Sequence, residues 1–157
     1  MSEVNLATLA RRVADVLEWS GRNTALCLHL LRLLARGQPV TLAPLADMMQ
    51  RSLEEIARQL QEMPDIEYDE LGRIVGSGLS LLPTPHRFTI NGKTLYTWCP
   101  LDALSYPLLL KQPACVESPC PVTGNAGRLT VTPPGIEDLE PAGAVVSLVV
   151  PAREVCS

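Results

Sequence analysis

Apolar side chains recur every three or four residues through the N-terminal part of the chain, which is the spacing of amphipathic helices. This spacing predicts a helix over residues 5–19 and a second one from Thr24 to just before Gly37. The second helix is apolar around most of its circumference, so we expect it to be largely buried. Two shorter helices are predicted at 41–49 and 52–60, and the latter opens with the Ser-x-x-Glu sequence of a capping box.

The pattern after these helices predicts a β-hairpin with its turn at 70–72, so residues 24–90 together resemble a winged helix. Winged helices often bind DNA, but here Glu54 and Glu55 occupy the start of the second short helix, where DNA contacts would be made. Residues 1–62 also carry seven basic and seven acidic residues, so this part of the chain is neutral. We therefore expect the winged helix to be structural framework, and a transcriptional regulator is kept as an alternative.

Short strand-like stretches replace the helical pattern after Gly76, and Asn91-Gly92 is a strong hairpin-turn signal between two of them. A short helix is predicted from Leu101 until Pro107 interrupts it. The predicted strands are 79–82, 86–90, 93–98, 114–118, 127–132 and 144–150. The sequence thus predicts an α+β protein: a helical, winged-helix-like subdomain at 1–78 and a mainly antiparallel β subdomain with a short helix at 79–157.

Composition and charge narrow the class of protein. The chain has 157 residues, a net charge of -4 and 46% hydrophobic residues, which is enough apolar material for one ordinary core. An acidic chain has no general affinity for nucleic acid or anionic membranes, and no apolar run is long enough to span a bilayer. Five cysteines without framework spacing, and no signal peptide, predict free thiols in the cytoplasm.

Candidate chemistry is concentrated in residues 94–107. This stretch holds Tyr96, Trp98 and Tyr106 around a Cys-x-x-Asp unit, in a chain with only 4% aromatic residues. If Cys99 opens a helix, Pro100 suits the first turn and Asp102 shares a face with the thiol. The sequence therefore predicts a thiol and a carboxyl side by side, against an aromatic wall.

Two interpretations of this pair remain open. Unpaired amides at a helix N-terminus would lower the pKa of Cys99 and favour the thiolate, the form that attacks electrophiles and binds soft metals. Desolvation by the rings could instead leave a proton on Asp102, making it a general acid. The alternative is purely structural: Cys99 would be a small buried side chain, and Asp102 would satisfy amides at the start of the helix.

Other potential ligands form no recognisable site. Cys115 and Cys120 have a Cys-x4-Cys spacing that lacks the usual zinc pattern, and no second pair accompanies them. His29 lies on an apolar helix and His86 lies among strand residues. We therefore predict structural or surface roles for both histidines.

Four stretches of the chain together resemble a known family: 30–40, 67–79, 95–104 and 140–151. The stretch at 95–104 is the most specific of them. The family that the sequence resembles is the organomercurial lyase (alkylmercury lyase) family of bacterial mercury resistance. The resemblance implies that Cys99 and Asp102 belong to the catalytic set and that Cys120 is structural.

The resemblance also implies the reaction, which is protonolysis of a carbon–mercury bond. Cys99 would bind the soft mercury atom and Asp102 would steer or deliver the proton, so that both residues would contact the metal as substrate or product. No organic cofactor is implied, and Hg(II) remains bound as the product. The partners implied are the organomercurial substrate, small cellular thiols and a mercuric reductase that accepts Hg(II), without nucleic acid or membrane.

The sequence departs from the family pattern near its C-terminus. That pattern continues beyond Pro151 to a second catalytic cysteine and a His-x-His strand, whereas this sequence stops at Ser157. Cys156 is out of register with the second cysteine. We expect either a truncated chain or a variant in which Cys156 substitutes imperfectly, and a mercury-binding protein with impaired catalysis is the corresponding alternative function.

Overall fold

The computed structural model describes residues 24–63 and 65–146, so the helix predicted at 5–19 lies outside the described residues. Within these ranges the chain forms four helices and eight strands. The helices are α1 (Thr24–Leu34), α2 (Leu42–Met49), α3 (Leu53–Gln61) and α4 (Pro100–Leu110). The strands are β1 (Glu67–Tyr68), β2 (Ile74–Ser77), β3 (Leu79–Ser80), β4 (His86–Ile90), β5 (Lys93–Thr97), β6 (Ala114–Pro119), β7 (Ala126–Thr132) and β8 (Gly135–Glu140).

The first three helices are followed by the β1–β2 hairpin, which is the order of elements in a winged helix. The capping box at the start of α3 is formed: the Glu55 amide donates to Ser52 Oγ at 3.2 Å, and the Ser52 amide donates to Glu55 Oε2 at 2.9 Å. Helix α1 is largely buried, since Leu30 and Leu34 are fully inaccessible to solvent. The apolar periodicity of this part therefore identified both the elements and their buried faces.

A single antiparallel sheet joins the two halves of the chain. Its strand order is β1-β2-β3-β5-β4-β6-β7-β8, and all neighbouring strands within it are antiparallel. Strands β2 and β3 meet at Ser77 and Leu79, so the sheet runs across the subdomain boundary predicted at 78/79. That boundary stays a prediction, while the α+β class with helices before an antiparallel sheet is confirmed.

Helix α4 covers the inner face of this sheet. It contacts β4, β5, β6 and β7 on one side and α1 on the other. Side chains alternate between the two faces of each strand, and on β5 this alternation buries Leu95 and Thr97 while Tyr96 points to the outer face. Phe88 on β4 is also fully buried on the inner face. The core therefore lies between α4, α1 and the sheet.

Three features differ from the sequence predictions or go beyond them. Strand β8 was not predicted, because Gly135–Glu140 is mostly exposed and acidic and lacks the apolar alternation of a strand. Residues 144–146 of the strand predicted at 144–150 are not in a strand, and the rest lie outside the described residues. Helix α4 continues through Pro107 to Leu110, since burial of the proline ring in the core offsets the lost helical hydrogen bond.

None of the helices in the described ranges has the length and apolar character that crossing a membrane requires.

Candidate active site

The start of α4 brings the Cys99 thiol and the Asp102 carboxyl together. Cys99 is the N-cap residue and Pro100 follows in the first turn, as the sequence predicts. The Asp102 amide donates to Cys99 Sγ at 3.4 Å, and the Cys99 amide donates to Asp102 Oδ2 at 3.2 Å. The pair is thus a capping box in which sulfur replaces the usual hydroxyl. Asp102 therefore accepts a main-chain amide at the helix start, and this hydrogen bond holds its carboxyl beside the sulfur.

The backbone that carries Cys99 is held by two threonines. Thr97, which is fully buried at the end of β5, donates its hydroxyl to the Cys99 carbonyl at 3.1 Å. The Thr84 hydroxyl in turn donates to the Thr97 carbonyl at 2.6 Å. These bonds fix the corner between strand and helix, so the thiol is positioned by main-chain geometry.

The surroundings of Cys99 bear on its protonation. Burial raises the pKa of the Cys99 thiol above its ordinary value, and the charge of Asp102 and a hydrogen bond with its side chain raise it further. The Asp102 amide at the helix start acts in the opposite direction but is outweighed. Of the interpretations left open by the sequence, the direction at Cys99 favours the one based on desolvation, because burial exceeds the effect of the helix N-terminus. The direction of this shift favours the thiol over the thiolate.

Asp102 has a second neighbour one helical turn further along α4. Tyr106 is partly buried, and burial is the main cause of its strongly raised pKa, followed by the charge of Asp102 and hydrogen bonding with its side chain. Tyr106 packs against Gly78, where a Cβ atom would overlap the phenol oxygen. The turn between β2 and β3 therefore forms part of the site, which sequence spacing did not indicate.

His86 is also close to the site, although the sequence gave no reason to place it there. It pairs with Thr97 across the β4–β5 hairpin, and its Nδ1 lies 3.0 Å from Ser118 Oγ. Burial lowers the pKa of His86, and the charge of Asp102 acts to raise it. The Asn91-Gly92 turn could have revealed this position, because a two-residue turn fixes the register that places His86 opposite Thr97.

The predicted aromatic wall is only partly formed. Tyr96 points to the outer face of the sheet, where it lines a shallow cavity of about 300 Å³ with Arg87 and Glu117. Trp98 is half-buried, and its amide donates to the Gly78 carbonyl at 3.0 Å. Of the three rings, the one that the structure places beside Asp102 is Tyr106. The grouping of Tyr96 with the thiol was wrong because neighbouring strand residues face opposite sides.

The other described cysteines lie apart from the pair. Cys115 is exposed on the outer face of the sheet, and Cys120 lies in the turn after β6, where bonds from the Thr123 hydroxyl and the Thr123 and Val122 amides lower its pKa. All four cysteines in the described ranges are free thiols, and those ranges contain no cluster of three potential metal ligands. Cys156 lies outside the described residues.

The fold and the site define a class of protein: a winged-helix-like framework joined to an antiparallel sheet, carrying a paired thiol and carboxyl at the N-terminus of a buried helix. Sequence profiles identify this combination. The profile described as alkylmercury lyase matches residues 79–157, and the profile described as the helix-turn-helix domain of alkylmercury lyase matches residues 7–78.

Individual relatives agree with the profiles. The chain is 52% identical over 122 residues to an alkylmercury lyase of Streptomyces lividans, covering 78% of this chain and 57% of the relative. It is 48% identical over 122 residues to one of Bacillus cereus, covering 78% and 56%, and 44% identical over 122 residues to one of Pseudomonas putida, covering 78% and 58%. The chain thus spans somewhat more than half the length of these relatives.

A solved structure described as the mercury-bound form of MerB2 has the same fold, with a TM-score of 0.64 and 25% sequence identity, over 76% of this chain and 61% of that one. This protein belongs to the alkylmercury lyase family. The family resemblance seen in the sequence is therefore confirmed.

Proposed function

We propose that this protein cleaves the carbon–mercury bond of alkyl- and arylmercury compounds by protonolysis, releasing a hydrocarbon and Hg(II) in mercury detoxification. The observation that carries the proposal is the reciprocal pair of hydrogen bonds between Cys99 and Asp102 at the start of α4. This contact places a soft ligand for mercury next to a group that can move a proton. Relatives described as alkylmercury lyases support the assignment.

The first step uses the thiol. Mercury is a soft metal that prefers sulfur ligands, so an organomercury cation binds Cys99 Sγ and displaces the thiol proton. Burial and Asp102 raise the pKa of Cys99, which favours keeping this proton on the sulfur until mercury binds. The Asp102 carboxylate is already hydrogen-bonded to the cysteine and can accept this proton.

The second step returns that proton to carbon. Asp102 delivers it to the carbon bound to mercury, the electron pair of the carbon–mercury bond forms the new carbon–hydrogen bond, and the hydrocarbon leaves. Hg(II) stays on the Cys99 sulfur, with the Asp102 carboxylate as a second ligand. The proton taken from sulfur is thus the one found in the product, and no organic cofactor takes part.

Release of Hg(II) needs an external acceptor. Small cellular thiols, or a mercuric reductase, would remove the ion from Cys99 by exchange of sulfur ligands. The four free cysteines in the described ranges fit a reducing compartment, and we place the reaction in the cytoplasm. The helical half serves as framework and is not assigned nucleic acid as a partner.

The test is release of hydrocarbon from phenylmercury acetate in the presence of excess free cysteine, with benzene measured by headspace gas chromatography. We expect the protein to release benzene catalytically, and Cys99→Ala and Asp102→Asn to abolish the release. Cys115→Ala is the matched control, since it removes an exposed thiol on the opposite face of the sheet and should leave turnover unchanged.

Absence of benzene from the wild-type protein would refute the proposed activity. Parallel titration with Hg(II) then decides between the remaining functions. Stoichiometric binding that is lost in Cys99→Ala but kept in Cys115→Ala would identify a protein that binds mercury without turnover.

A further inference from the structure

Tyr106 is placed to act on Asp102. The two residues are four positions apart on α4, so their side chains lie on the same face of the helix one turn apart. Helix α4 lies between the sheet and α1, and Tyr106 packs against the hydrophobic core. The two side chains can therefore come into contact along this face of the helix.

Gly78 fixes the Tyr106 ring from the other side. A Cβ atom at Gly78 would overlap the phenol oxygen and lie 3.1 Å from Cζ, so the ring fits only because the residue is glycine. The carbonyl of Gly78 accepts the Trp98 amide at 3.0 Å, which ties this turn to the residue before Cys99. The turn at Gly78 therefore contacts the Tyr106 ring and is also hydrogen-bonded to the residue that precedes Cys99.

The chemistry of the two groups is complementary. The Asp102 carboxylate uses Oδ2 to accept the Cys99 amide, and a carboxylate has capacity for further donors. Burial and the nearby carboxylate raise the pKa of Tyr106, so the phenol keeps its proton and remains a donor. A hydrogen bond between these side chains would join a donor that keeps its proton to an acceptor that the proposed reaction uses.

We propose that Tyr106 is a positioning residue for the cleavage reaction: its hydroxyl, seated on Gly78, donates to Asp102 and orients the carboxyl towards the Cys99 sulfur. The inference rests on the proposed function, because it assigns Tyr106 a role through Asp102. Mercury binds to Cys99, so loss of the hydroxyl affects proton delivery more than substrate binding. The expected signature is a fall in kcat with little change in KM.

The kinetic test compares Tyr106→Phe with Tyr68→Phe, which removes the same atom from an exposed residue of β1. With phenylmercury acetate and excess cysteine, Tyr106→Phe should lower kcat about 10- to 100-fold, the range expected for one hydrogen bond to a charged group. Its KM should stay within about twofold, since only interactions made in the transition state affect kcat alone. Tyr68→Phe should match the wild type in both constants.

A second measurement does not depend on turnover. In protein labelled with 13C at the aspartate carboxyl, the Asp102 resonance is identified by its loss in Asp102→Asn. It should shift in Tyr106→Phe and stay in place in Tyr68→Phe. Gly78→Ala, which displaces the hydroxyl while keeping it, should also shift the resonance.

The outcomes separate the two proposals. If the wild-type protein releases no benzene, the proposed function fails and the carboxyl resonance still decides whether Tyr106 orients Asp102. If Tyr106→Phe leaves the resonance unchanged, or leaves kcat unchanged in an active protein, the role of Tyr106 is overturned. A fall in kcat without a shift of the resonance also overturns it, because the effect would then not pass through Asp102.

Discussion

Substitution of Gly78 by alanine should destabilise the protein through two separable effects. Gly78 has φ +72, a left-handed conformation that costs an alanine roughly 1–2 kcal/mol. Its new Cβ would also overlap the Tyr106 hydroxyl, and forcing a ring to move in a packed region costs about 1–3 kcal/mol. The expected loss in the free energy of unfolding is therefore about 2–5 kcal/mol.

The two effects can be measured apart. Gly92 has nearly the same backbone angle, φ +71, but nothing lies within 4 Å of a Cβ placed there. Gly92→Ala should therefore show the backbone cost alone. Tyr106→Phe removes the oxygen that the Cβ would overlap, so the Gly78→Ala, Tyr106→Phe double variant should recover about 1–2 kcal/mol relative to the sum of the single changes. Part of the cost should remain, because Cζ would still lie 3.1 Å from the Cβ.

The assay is urea unfolding followed by far-UV circular dichroism, with free energies from linear extrapolation. The reasoning would be refuted if Gly78→Ala cost no more than Gly92→Ala, since the ring would then not occupy the space over Gly78. Additivity of Gly78→Ala and Tyr106→Phe would refute it equally, because contacting residues must couple.

Two further predictions address the local structure. Ser52→Ala should lower the free energy of unfolding, measured in urea, by about 1 kcal/mol because it removes a capping hydrogen bond. Thr41→Ala should lower it much less, since the Thr41 side chain makes no capping bond at the start of α2. Equal losses in the two variants would contradict this prediction. In iodoacetamide labelling followed by peptide mass spectrometry, Cys120 should react faster than Cys99 at neutral pH, because hydrogen bonds lower the pKa of Cys120 and burial raises that of Cys99. The labelling rate at Cys99 should increase with pH up to its raised pKa. Asp102→Asn should move this increase to lower pH, because it removes a charge and a hydrogen bond that favour the thiol. An unchanged dependence of the labelling rate on pH would show that Asp102 does not control the thiol.

The elements whose signals are local were predictable from the sequence. The helical spacing located α1, α2 and α3, and the Ser52-x-x-Glu55 capping box marks the start of α3. The Asn91-Gly92 turn joins β4 to β5 as expected, with positive φ at both positions. Strand β8 could not be predicted, because an exposed and acidic edge strand is fixed by pairing with β7 and not by its own pattern.

The candidate site divides in the same way. Cys99 and Asp102 are brought together by three residues of helix, and the Cys-Pro-x-Asp sequence is itself the capping box, so their contact follows from the chain alone. The partners of that pair come from distant positions: Gly78 beneath the Tyr106 ring, and His86 across the hairpin. The positions of Gly78 and His86 near this pair depend on how the strands turn and how the sheet packs against α4.

The sequence by itself determined the family, the helices and the adjacency of thiol and carboxyl, because each of these depends on residues close together in the chain. The tertiary structure alone decided the direction of the pKa shift at Cys99 and the neighbours of Asp102. Desolvation and packing depend on the surfaces that close around a group, and α4 is enclosed by the sheet and by α1, parts of which lie far from it in the chain. The raised pKa of the thiol is therefore a result of the fold, although its position at a helix start would favour a lowered one.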